Sequence, residues 1–390
     1  MKLGIITFWE TQDNYGQIMQ NYALQTVLRN MGHNPFLIRY SLFSDWAKSP
    51  NRWKAIFDFK RIFAFLKKKI FPSRNLMNST EVDRDFDTFK ERYLSYTQKI
   101  YRTLKELQAD PPLADAYICG SDQIWYAIND YQVYKNITRA YFLDFGDQNI
   151  KRIAYAPSFG RVDFPIGYYE YISPLLQRFQ LVTVREQGGV EVCKRAGYFH
   201  ATQVLDPTCL LEADKYREIC IKPQIKRQYV LLYIIGNSNI DFSEIIFYAE
   251  RYHYDVYYIG SQGINIGNIK KKYPFFNVIY PTINEWLGWI DNCELFVTNS
   301  FHGSVFSVIF NKQNVIYTGH GLSREGGADR FYTFLESINL LDRIFVDNMS
   351  YLLDSKINYQ KVNNLLQIKR TECLNLLKKS LEDSHEKYKC

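Results

Sequence analysis

The amino-terminal stretch decides the fold. Residues 3–40 read LGIITFWETQDNYGQIMQNYALQTVLRNMGHNPFLIRY. The apolar run 3–9 is typical of a buried strand, and the apolar residues of 18–31 recur at helical spacing, with Gly32 where a helix commonly ends. Residues 34–40 return to an extended apolar pattern and complete a strand–helix–strand unit. Such units build parallel sheets that helices cover on both faces.

Strand and helix signals alternate along the rest of the chain in two series. The first series continues to Leu211, and the second begins after a polar, charged stretch that ends at Arg227. The further predicted strands are 114–119, 152–156, 181–184, 203–205, 229–235, 255–259, 277–280, 295–298 and 314–317. The further predicted helices are 171–179, 188–196, 242–252, 283–290, 305–310 and 359–381.

This alternation predicts an α/β protein with two Rossmann-like domains, whose mainly parallel sheets face each other across a cleft. The predicted units are an amino-terminal domain at 1–215, a carboxy-terminal domain at 228–355 and a final helix at 356–390 that packs across the domain junction. Ligands of open α/β sheets bind beyond the carboxyl ends of the strands, so the site is expected in the cleft.

The composition is that of an ordinary globular protein. In 390 residues, hydrophobic side chains make up 46% and charged side chains 23%, which excludes collagen, coiled-coil and low-complexity classes. The 48 Lys and Arg exceed the 41 Asp and Glu by only 7 charges, too few to predict a nucleic-acid partner. The 31 Tyr and 27 Phe favour carbohydrate binding, although a compositional habit of the source organism explains them equally well.

Cysteine spacing and hydropathy bear on the compartment. The seven cysteines form no closely spaced pair, which favours a reducing environment. The sequence shows no signal-peptide pattern and no apolar run of membrane-spanning length, so a cytoplasmic protein is expected. The segment 46–74 interleaves basic with aromatic and aliphatic residues. It predicts either an amphipathic helix at the inner membrane face or a helix docked on its own domain.

The loop before the first helix is one candidate binding element. Its residues Asn14, Tyr15 and Gly16 precede a helix start, whose free N–H groups can hold an anion or sugar hydroxyls. The loop lacks the Gly-x-Gly-x-x-Gly spacing of a dinucleotide fingerprint. It therefore indicates a small anion or a sugar acceptor.

The loop after the strand 114–119 is a second candidate for the acceptor. It carries Ser121, Asp122, Gln123 and Trp125. Asp122 can accept a proton from a hydroxyl, and the face of Trp125 suits a sugar. The structural alternative is that Ser121 or Asp122 only caps the next helix.

The most informative stretch joins the strand 295–298 to the helix that follows it. Ser300 is a natural helix cap, so His302, Gly303 and Ser304 fall in the first helical turn. The positive end of the helix dipole favours a phosphate or a carboxylate there. His302 is therefore a candidate phosphate ligand or general acid, with a structural histidine as the alternative.

Three arginines are candidates for closing on an anion. Arg185 follows the strand 181–184, and Arg324 and Arg330 belong to a long glycine-rich loop. Guanidinium groups bind phosphates and carboxylates with bidentate geometry. The alternatives are a surface ion pair for Arg185 and a salt bridge at a helix start for Arg330.

Several other chemistries lack their motifs. The sequence has no zinc-binding His-x-His or His-Glu-x-x-His cluster, no phosphate-binding P-loop and no Gly-x-Ser-x-Gly nucleophile elbow. The Asp-x-Asp spacing at 83–87 lies in a charged, helix-like stretch, where a solvated helix face is the better interpretation than a cation site. We therefore expect neither a metal nor a cofactor.

An ordered set of these motifs resembles the polysaccharide pyruvyl transferase family over about residues 1–345. The set comprises Ile5-Ile6-Thr7-Phe8, Asn14-Tyr15-Gly16, Leu24-Gln25, Gly120–Trp125, Val184-Arg185-Glu186, Asp206-Pro207-Thr208, Ser300–Ser304 and Asp329-Arg330. The family is similar in fold to GT-B glycosyltransferases, in which two Rossmann-like domains face a cleft. Its characterised members move the enolpyruvyl group of phosphoenolpyruvate onto a sugar as a ketal during the synthesis of polysaccharides.

The resemblance implies a transferase whose donor is phosphoenolpyruvate, on the carboxy-terminal side, and whose acceptor is a sugar or a lipid-linked oligosaccharide, on the amino-terminal side. The histidine of the family's His-Gly motif maps to His302, the expected acid, and Asp122 is the expected base. Many members carry Arg-Leu-His-Gly here, whereas this chain has Ser-Phe-His-Gly. Arg330, Arg324 or Arg185 is therefore expected to supply the positive charge.

Two other functions fit the same sequence. A GT-B glycosyltransferase would bind a nucleotide sugar at the same helix start. A non-catalytic sugar-binding subunit of a polymer-assembly complex would be held at the membrane by the segment 46–74. Product analysis separates the two transferases, because a ketal adds a carboxylate and a glycosyl group does not.

Overall fold

Two β-sheets form the framework of the computed structural model, which describes residues 1–41, 82–126, 135–236, 240–261, 264–318, 327–346 and 349–382. The strands of the first sheet are β1 (Lys2–Ile6), β2 (Asn34–Tyr40), β3 (Tyr96–Tyr101), β4 (Ala116–Cys119), β5 (Lys151–Ala154), β6 (Leu181–Val184) and β7 (Thr202–Gln203). The strands of the second sheet are β8 (Tyr229–Tyr233), β9 (Asp255–Ile259), β10 (Asn277–Ile279), β11 (Leu295–Thr298) and β12 (Gln313–Ile316).

The strand order confirms the predicted fold class. The described strands run β3-β2-β1-β4-β5-β6-β7 in the first sheet and β10-β9-β8-β11-β12 in the second, and their pairings are parallel. Every residue of β4, β6, β8 and β11 is buried. These strands are covered on both faces, which is why they appear in the sequence as continuous apolar runs.

Helices cover the sheets on both faces. The described helices are α1 (Tyr15–Asn30), α2 (Phe86–Tyr93), α3 (Leu104–Ala109), α4 (Lys135–Tyr141), α5 (Ile166–Leu176), α6 (Gln187–Arg195), α7 (Ala213–Arg217), α8 (Ser243–Arg251), α9 (Ile266–Lys272), α10 (Ile283–Asn292), α11 (Phe301–Ile309), α12 (Asp329–Ser337), α13 (Met349–Asp354) and α14 (Tyr359–Glu382). None of these described helices is both long and apolar enough to cross a bilayer. The predicted amphipathic segment 46–74 lies outside the described residues.

The sequence analysis missed the edge strand β3. Its central residues are exposed and polar, so it lacks the apolar pattern of the other strands. Arg39 of β2 holds it in place, because the guanidinium donates hydrogen bonds to the carbonyls of Thr97 and Gln98. An edge strand needs only one paired side and one covered face, and hydrophobic periodicity detects such strands poorly.

The polar stretch after Leu211, which separates the two series of strands and helices, is folded. It contains α7, in which Tyr216 is fully buried. The Tyr216 ring lies 4.9 Å from the ring of Phe306, centroid to centroid, and its hydroxyl donates to the carbonyl of Thr208 at 2.8 Å. The segment that joins the two sheets is therefore part of the core between them.

The last helix, α14, packs across the domain junction as predicted. Near its start, the hydroxyl of Tyr359 donates to the carbonyl of Lys312, which precedes β12 of the second sheet. At its other end, Nζ of Lys151 in β5 donates to the carbonyls of Ser380 and Leu381 at 3.0 and 2.8 Å. A lysine at this position also compensates the negative end of the helix dipole.

Loops that follow strands of the two sheets meet at the junction. The hydroxyl of Tyr15 donates to the carbonyl of Pro281 at 2.5 Å, and its ring stacks on Trp286 with centroids 4.9 Å apart. Oδ2 of Asp329 accepts a hydrogen bond from the N–H of Gly188 at 2.7 Å. These contacts bring the carboxyl-end loops of the two sheets together, and polar side chains converge there.

Candidate functional site

Asp206 lies at the centre of a buried polar cluster between the two domains. It is 2% exposed and follows β7, where it caps the short 3₁₀ turn Pro207–Leu210. Its Oδ1 atom accepts hydrogen bonds from N and Oγ1 of Thr208 at 3.0 and 2.7 Å. Its Oδ2 atom accepts from Oγ of Ser121 at 2.8 Å and from Nη1 of Arg185 at 3.0 Å. Both carboxylate oxygens therefore accept hydrogen bonds from protein groups, which replace the water that burial excludes.

His302 approaches this carboxylate from the second sheet. It lies in the first turn of α11, whose cap Ser300 accepts a hydrogen bond from the N–H of Gly303 at 3.2 Å. Nε2 of His302 is 3.4 Å from Oδ2 of Asp206, an ion-pair contact rather than an aligned hydrogen bond. On the other side of the ring, a Cβ atom at Gly16 would lie 2.1 Å from Nδ1. Only glycine leaves space for the ring in this position.

The surrounding charges keep Asp206 ionised. Burial alone would raise the pKa of this carboxyl, but His302, Arg185 and the hydrogen bond from Thr208 outweigh it and hold the pKa well below its usual range. The negative charge compensates the guanidinium of Arg185, and also the imidazole ring when that ring is protonated.

Arg185 and Arg330 face the same aromatic ring. The guanidinium carbons of Arg185 and Arg330 lie 4.7 and 5.9 Å from the centroid of Phe301. Arg185 is paired with Asp206, and its Nε is 3.8 Å from a carboxylate oxygen of Glu186. Arg330, in contrast, forms no hydrogen bond or ion pair with any described residue, and its Nε atom is fully buried.

The environment of Arg330 penalises its charge. Burial and the nearby guanidinium of Arg185 together lower the pKa of Arg330 to about 10, while the carboxylates of Glu186 and Asp122 act in the opposite direction. A buried charge without a hydrogen-bond partner is unfavourable. An anion that entered the cleft would remove this penalty.

Asp122 has a strained backbone next to the cluster. Its φ angle is 78°, in the left-handed region that residues other than glycine rarely adopt. Its Oδ2 atom accepts from Nε2 of Gln17 at 3.3 Å, and its Oδ1 atom from the N–H of Gln123 at 2.8 Å. Strained residues that the surrounding structure holds in place occur preferentially at functional sites. A carboxylate in this position can accept a proton from a hydroxyl.

The structure gathers most of the predicted donor-side residues at this cluster. They are Arg185, Ser300, His302, Gly303 and Arg330. Ser304 bonds within its own helix, since its Oγ donates to the carbonyl of Ser300 at 3.0 Å. Arg324 lies outside the described residues.

Two predicted acceptor residues are core residues instead. Trp125 is 1% exposed, its ring stacks on Phe142 with centroids 4.3 Å apart, and its Nε1 donates to the carbonyl of Tyr141 at 3.1 Å. Tyr15 is fully buried against Trp286. Neither ring presents a face to a sugar, because both fill the interior between sheets and helices.

The other predicted acceptor residues lie around the cluster. Asn14 caps α1 by accepting the N–H of Gln17 at 3.2 Å. Ser121 and Gly16 make the contacts with the carboxylate and the imidazole described above. Gln123 is partly exposed next to them.

Within the described ranges, no group of three His, Cys, Asp or Glu is arranged to hold a metal ion.

Sequence reasoning missed Asp206, Glu186 and Gln17 as site residues. Oε1 of Glu186 accepts from Oγ of Ser158 at 2.8 Å and from two N–H groups of the same loop, which shapes the wall next to Arg330. The sequence does carry a signal for Asp206. An aspartate after a strand and before Pro-Thr is typical of a residue that caps a helical turn, and such a position predicts a carboxylate at the carboxyl end of the sheet.

Comparison with known families decides the identity of the chain. A model of the polysaccharide pyruvyl transferase family matches residues 14–321, which include Asp122, Arg185, Asp206 and His302. The chain belongs to this family. No curated protein matches the chain in sequence.

One of the solved structures that align with this polysaccharide pyruvyl transferase family member, S. aureus MnaA, supports a GT-B-like fold. S. aureus MnaA in complex with UDP aligns with a TM-score of 0.51 at 11% identity, covering 99% of this chain and 98% of that one. The Methanocaldococcus jannaschii UDP-GlcNAc 2-epimerase in complex with UDP-GlcNAc and UDP aligns at 13% identity, with a TM-score of 0.43 and coverage of 99% and 94%. A putative UDP-N-acetylglucosamine 2-epimerase from Listeria monocytogenes aligns at 10% identity, with a TM-score of 0.47 and coverage of 99% and 98%. At these identities the similarity concerns the fold alone.

Proposed function

We propose that this chain transfers the enolpyruvyl group of phosphoenolpyruvate to a sugar of a polysaccharide precursor and forms a pyruvate ketal. Family membership supports pyruvyl transfer. One structural observation supports an anionic donor: Arg330 is half-buried next to Arg185, and its fully buried Nε atom has no hydrogen-bond partner among the described residues. A bound anion would stabilise this arrangement.

The donor carries a phosphate and a carboxylate, which suits the pair of guanidinium groups. Arg330 is available for a bidentate contact. Arg185 is held by Asp206, so it contributes positive charge from a fixed position. Phe301 contacts both guanidinium groups and gives the cleft an apolar wall between them. Of the three arginines expected to supply the charge, Arg330 is therefore the best-supported donor ligand.

The proposed reaction needs one acid and one base. His302 protonates the methylene carbon of the donor, and a sugar hydroxyl attacks the adjacent cationic carbon while Asp122 takes its proton. A second hydroxyl of the sugar then displaces the phosphate and closes the ketal ring. The proton of this second hydroxyl leaves with inorganic phosphate. Asp122 then releases its proton to solvent, and His302 takes up a proton from solvent to replace the one that it gave. The products are a ketal and phosphate, without a metal, a cofactor or a redox partner.

The acceptor is proposed to be a sugar or a lipid-linked oligosaccharide that enters from the side of the first sheet, where Ser121, Asp122 and Gln123 lie. The segment 46–74 would bring the enzyme to the cytoplasmic face of the membrane, where a lipid-linked acceptor would be found. Binding of the purified chain to anionic vesicles, and its loss when Lys67, Lys68 and Lys69 are replaced by glutamine, tests this part separately from catalysis.

Phosphate release from phosphoenolpyruvate in the presence of a panel of sugar acceptors tests the proposal, with mass spectrometry of the product for the added carboxylate. The variant His302→Ala is expected to lower kcat by about 10²–10⁴-fold, because it removes the acid. The variant His200→Ala, at an exposed position, is the matched control and is expected to leave kcat unchanged. Release of a nucleotide from a nucleotide sugar, without phosphate from phosphoenolpyruvate, would replace this proposal by glycosyl transfer.

A further inference from the structure

A buried carboxylate and an imidazole meet between the domains, and their geometry assigns a role to each ring nitrogen. We propose that Asp206 is a positioning residue, which holds Nε2 of His302 so that Nδ1 is the nitrogen that delivers the proton to the donor. The destination of the proton rests on the proposed function. The orientation of the ring rests on geometry alone.

The carboxylate of Asp206 is fixed before it meets the ring. Thr208 occupies Oδ1 with two hydrogen bonds, while Ser121 and Arg185 donate to Oδ2. These partners follow three different strands of the first sheet, namely β7, β4 and β6. Rotation of the carboxylate would break its hydrogen bonds with all three partners. The position of Oδ2 relative to His302 is therefore fixed.

The ring of His302 is confined on its other side by Gly16. Nε2 is fully buried at 3.4 Å from the carboxylate, so it has no route to a ligand. Nδ1 lies over the glycine, where a Cβ atom would come within 2.1 Å. The missing side chain makes room for the ring itself, and Nδ1 is the nitrogen left for a donor because Nε2 faces the carboxylate.

The two partners belong to different domains. Asp206 follows β7 of the first sheet, and His302 lies in the first turn of the helix after β11 of the second. Three other charged groups belong to the same cluster. Arg185 follows β6, Asp122 follows β4, and Arg330 lies on α12. Among the described residues, Asp206 alone is within ion-pair distance of the ring. The acid is therefore correctly oriented only when the two domains are together.

Steady-state kinetics of Asp206→Asn test the role. The expected result is a fall in kcat of about 10²-fold or more with a smaller rise in KM for phosphoenolpyruvate, because the donor ligand Arg330 is untouched and only Arg185 loses its carboxylate partner. In a His302→Gln background the same substitution is expected to lower kcat little further, since the residue it acts through is absent. The control Asp144→Asn, which removes a carboxylate paired with two partly exposed arginines, is expected to change stability and not kcat.

A spectroscopic readout tests the orientation independently of turnover. In protein labelled with ¹⁵N-histidine, His302→Gln assigns the ring signals of that residue among the six histidines. Asp206→Asn is expected to move the Nε2 and Nδ1 signals of His302 and to leave the other histidines in place. If this variant does not fold, Thr208→Val, which removes one of the two hydrogen bonds to Oδ1, is expected to produce a smaller change of the same kind.

Unmoved ring signals in the folded variants, or an additive loss of kcat in the double variant, would overturn the positioning role. A wild-type protein that never releases phosphate from phosphoenolpyruvate would refute the proposed function instead. In that case the ¹⁵N signals still decide whether Asp206 orients His302, so the two failures are distinguishable.

Discussion

Two arginines, the buried Arg152 and the half-buried Arg330, have very different partners for the same charge. Burial lowers the pKa of each to about 10. Arg330 donates no hydrogen bond to a described residue. Arg152 in β5 donates, at 2.8 to 3.3 Å, to five backbone carbonyls, those of Leu143, Phe145, Asp147, Gln148 and Ile150.

The partners distinguish the two residues, whereas the pKa does not. Arg152 uses its donors to tie the loop 143–150 to the sheet, which is a structural role. Arg330 keeps its charge in the cleft next to Phe301 and Arg185, where a ligand can satisfy it. A perturbed pKa indicates a functional site only where the charged group also lacks a hydrogen-bond partner within the protein.

Arg152→Met should be the most destabilising change at these positions. It leaves five carbonyls without their donor, two of them in buried hydrogen bonds and three in partly buried ones, so the free energy of unfolding is expected to fall by about 4 kcal/mol. Urea unfolding measures this change. The exposed Arg227→Met, which loses one weak ion pair at 3.6 Å, is the control and should change stability by less than about 1 kcal/mol. A loss below that value for Arg152 would contradict its structural role.

Asp206→Asn should give a pH-dependent loss of stability. Because the pKa of Asp206 is depressed in the folded state, its contribution is present above its ordinary value of 3.8 and is lost as the pH falls below it. The gap between wild type and variant is expected to be about 3 kcal/mol at neutral pH and to narrow below about pH 4. Denaturant titrations across this range measure the gap. A gap that widens in acid would show that the carboxylate is not stabilised as an ion.

Arg330→Met should separate binding from stability. The affinity for phosphoenolpyruvate is expected to fall about 100-fold, because a charge-assisted bidentate contact is lost. The free energy of unfolding should stay the same or rise, since an unpaired buried charge is replaced by an apolar side chain. Calorimetric binding and urea unfolding measure the two quantities. Marked destabilisation without a change in affinity would place Arg330 with Arg152 as a structural residue.

Arg330→Lys should give the smallest effect. Lysine keeps the charge but lacks the planar fork of the guanidinium, so the affinity is expected to fall about tenfold. Competition binding against the wild type resolves this difference. An affinity equal to that of the methionine variant would mean that the fork geometry, rather than the charge, dominates binding.

The sequence predicted the sheets well and the aromatic site residues poorly. The predicted strands 34–40, 181–184, 255–259 and 295–298 agree with the structure at both ends. Buried parallel strands are continuous apolar runs between turn residues, so they are visible in one sequence. Trp125 was assigned to the acceptor site because it follows a strand, but an aromatic side chain there can equally point into the core, and periodicity does not report which.

The role of Asp206 could not be obtained from local patterns. Its partners Ser121, Arg185 and His302 are far away in the sequence, and only the order of the strands brings them together. The same holds for Gly16, whose need for a glycine arises from a ring in the other domain. Motif order identified the family, whereas the contacts within the site required the folded chain.

A thermal-shift titration with phosphoenolpyruvate, next to a panel of nucleotide sugars, tests the central claim most directly. A ligand at 100 times its dissociation constant should stabilise the protein by about 2.7 kcal/mol, which is readily measured. The expected result is a shift with phosphoenolpyruvate that disappears in Arg330→Met and persists in Arg227→Met. A shift with a nucleotide sugar alone, or one with phosphoenolpyruvate that Arg330→Met retains in full, would contradict the claim that Arg330 binds the pyruvyl donor.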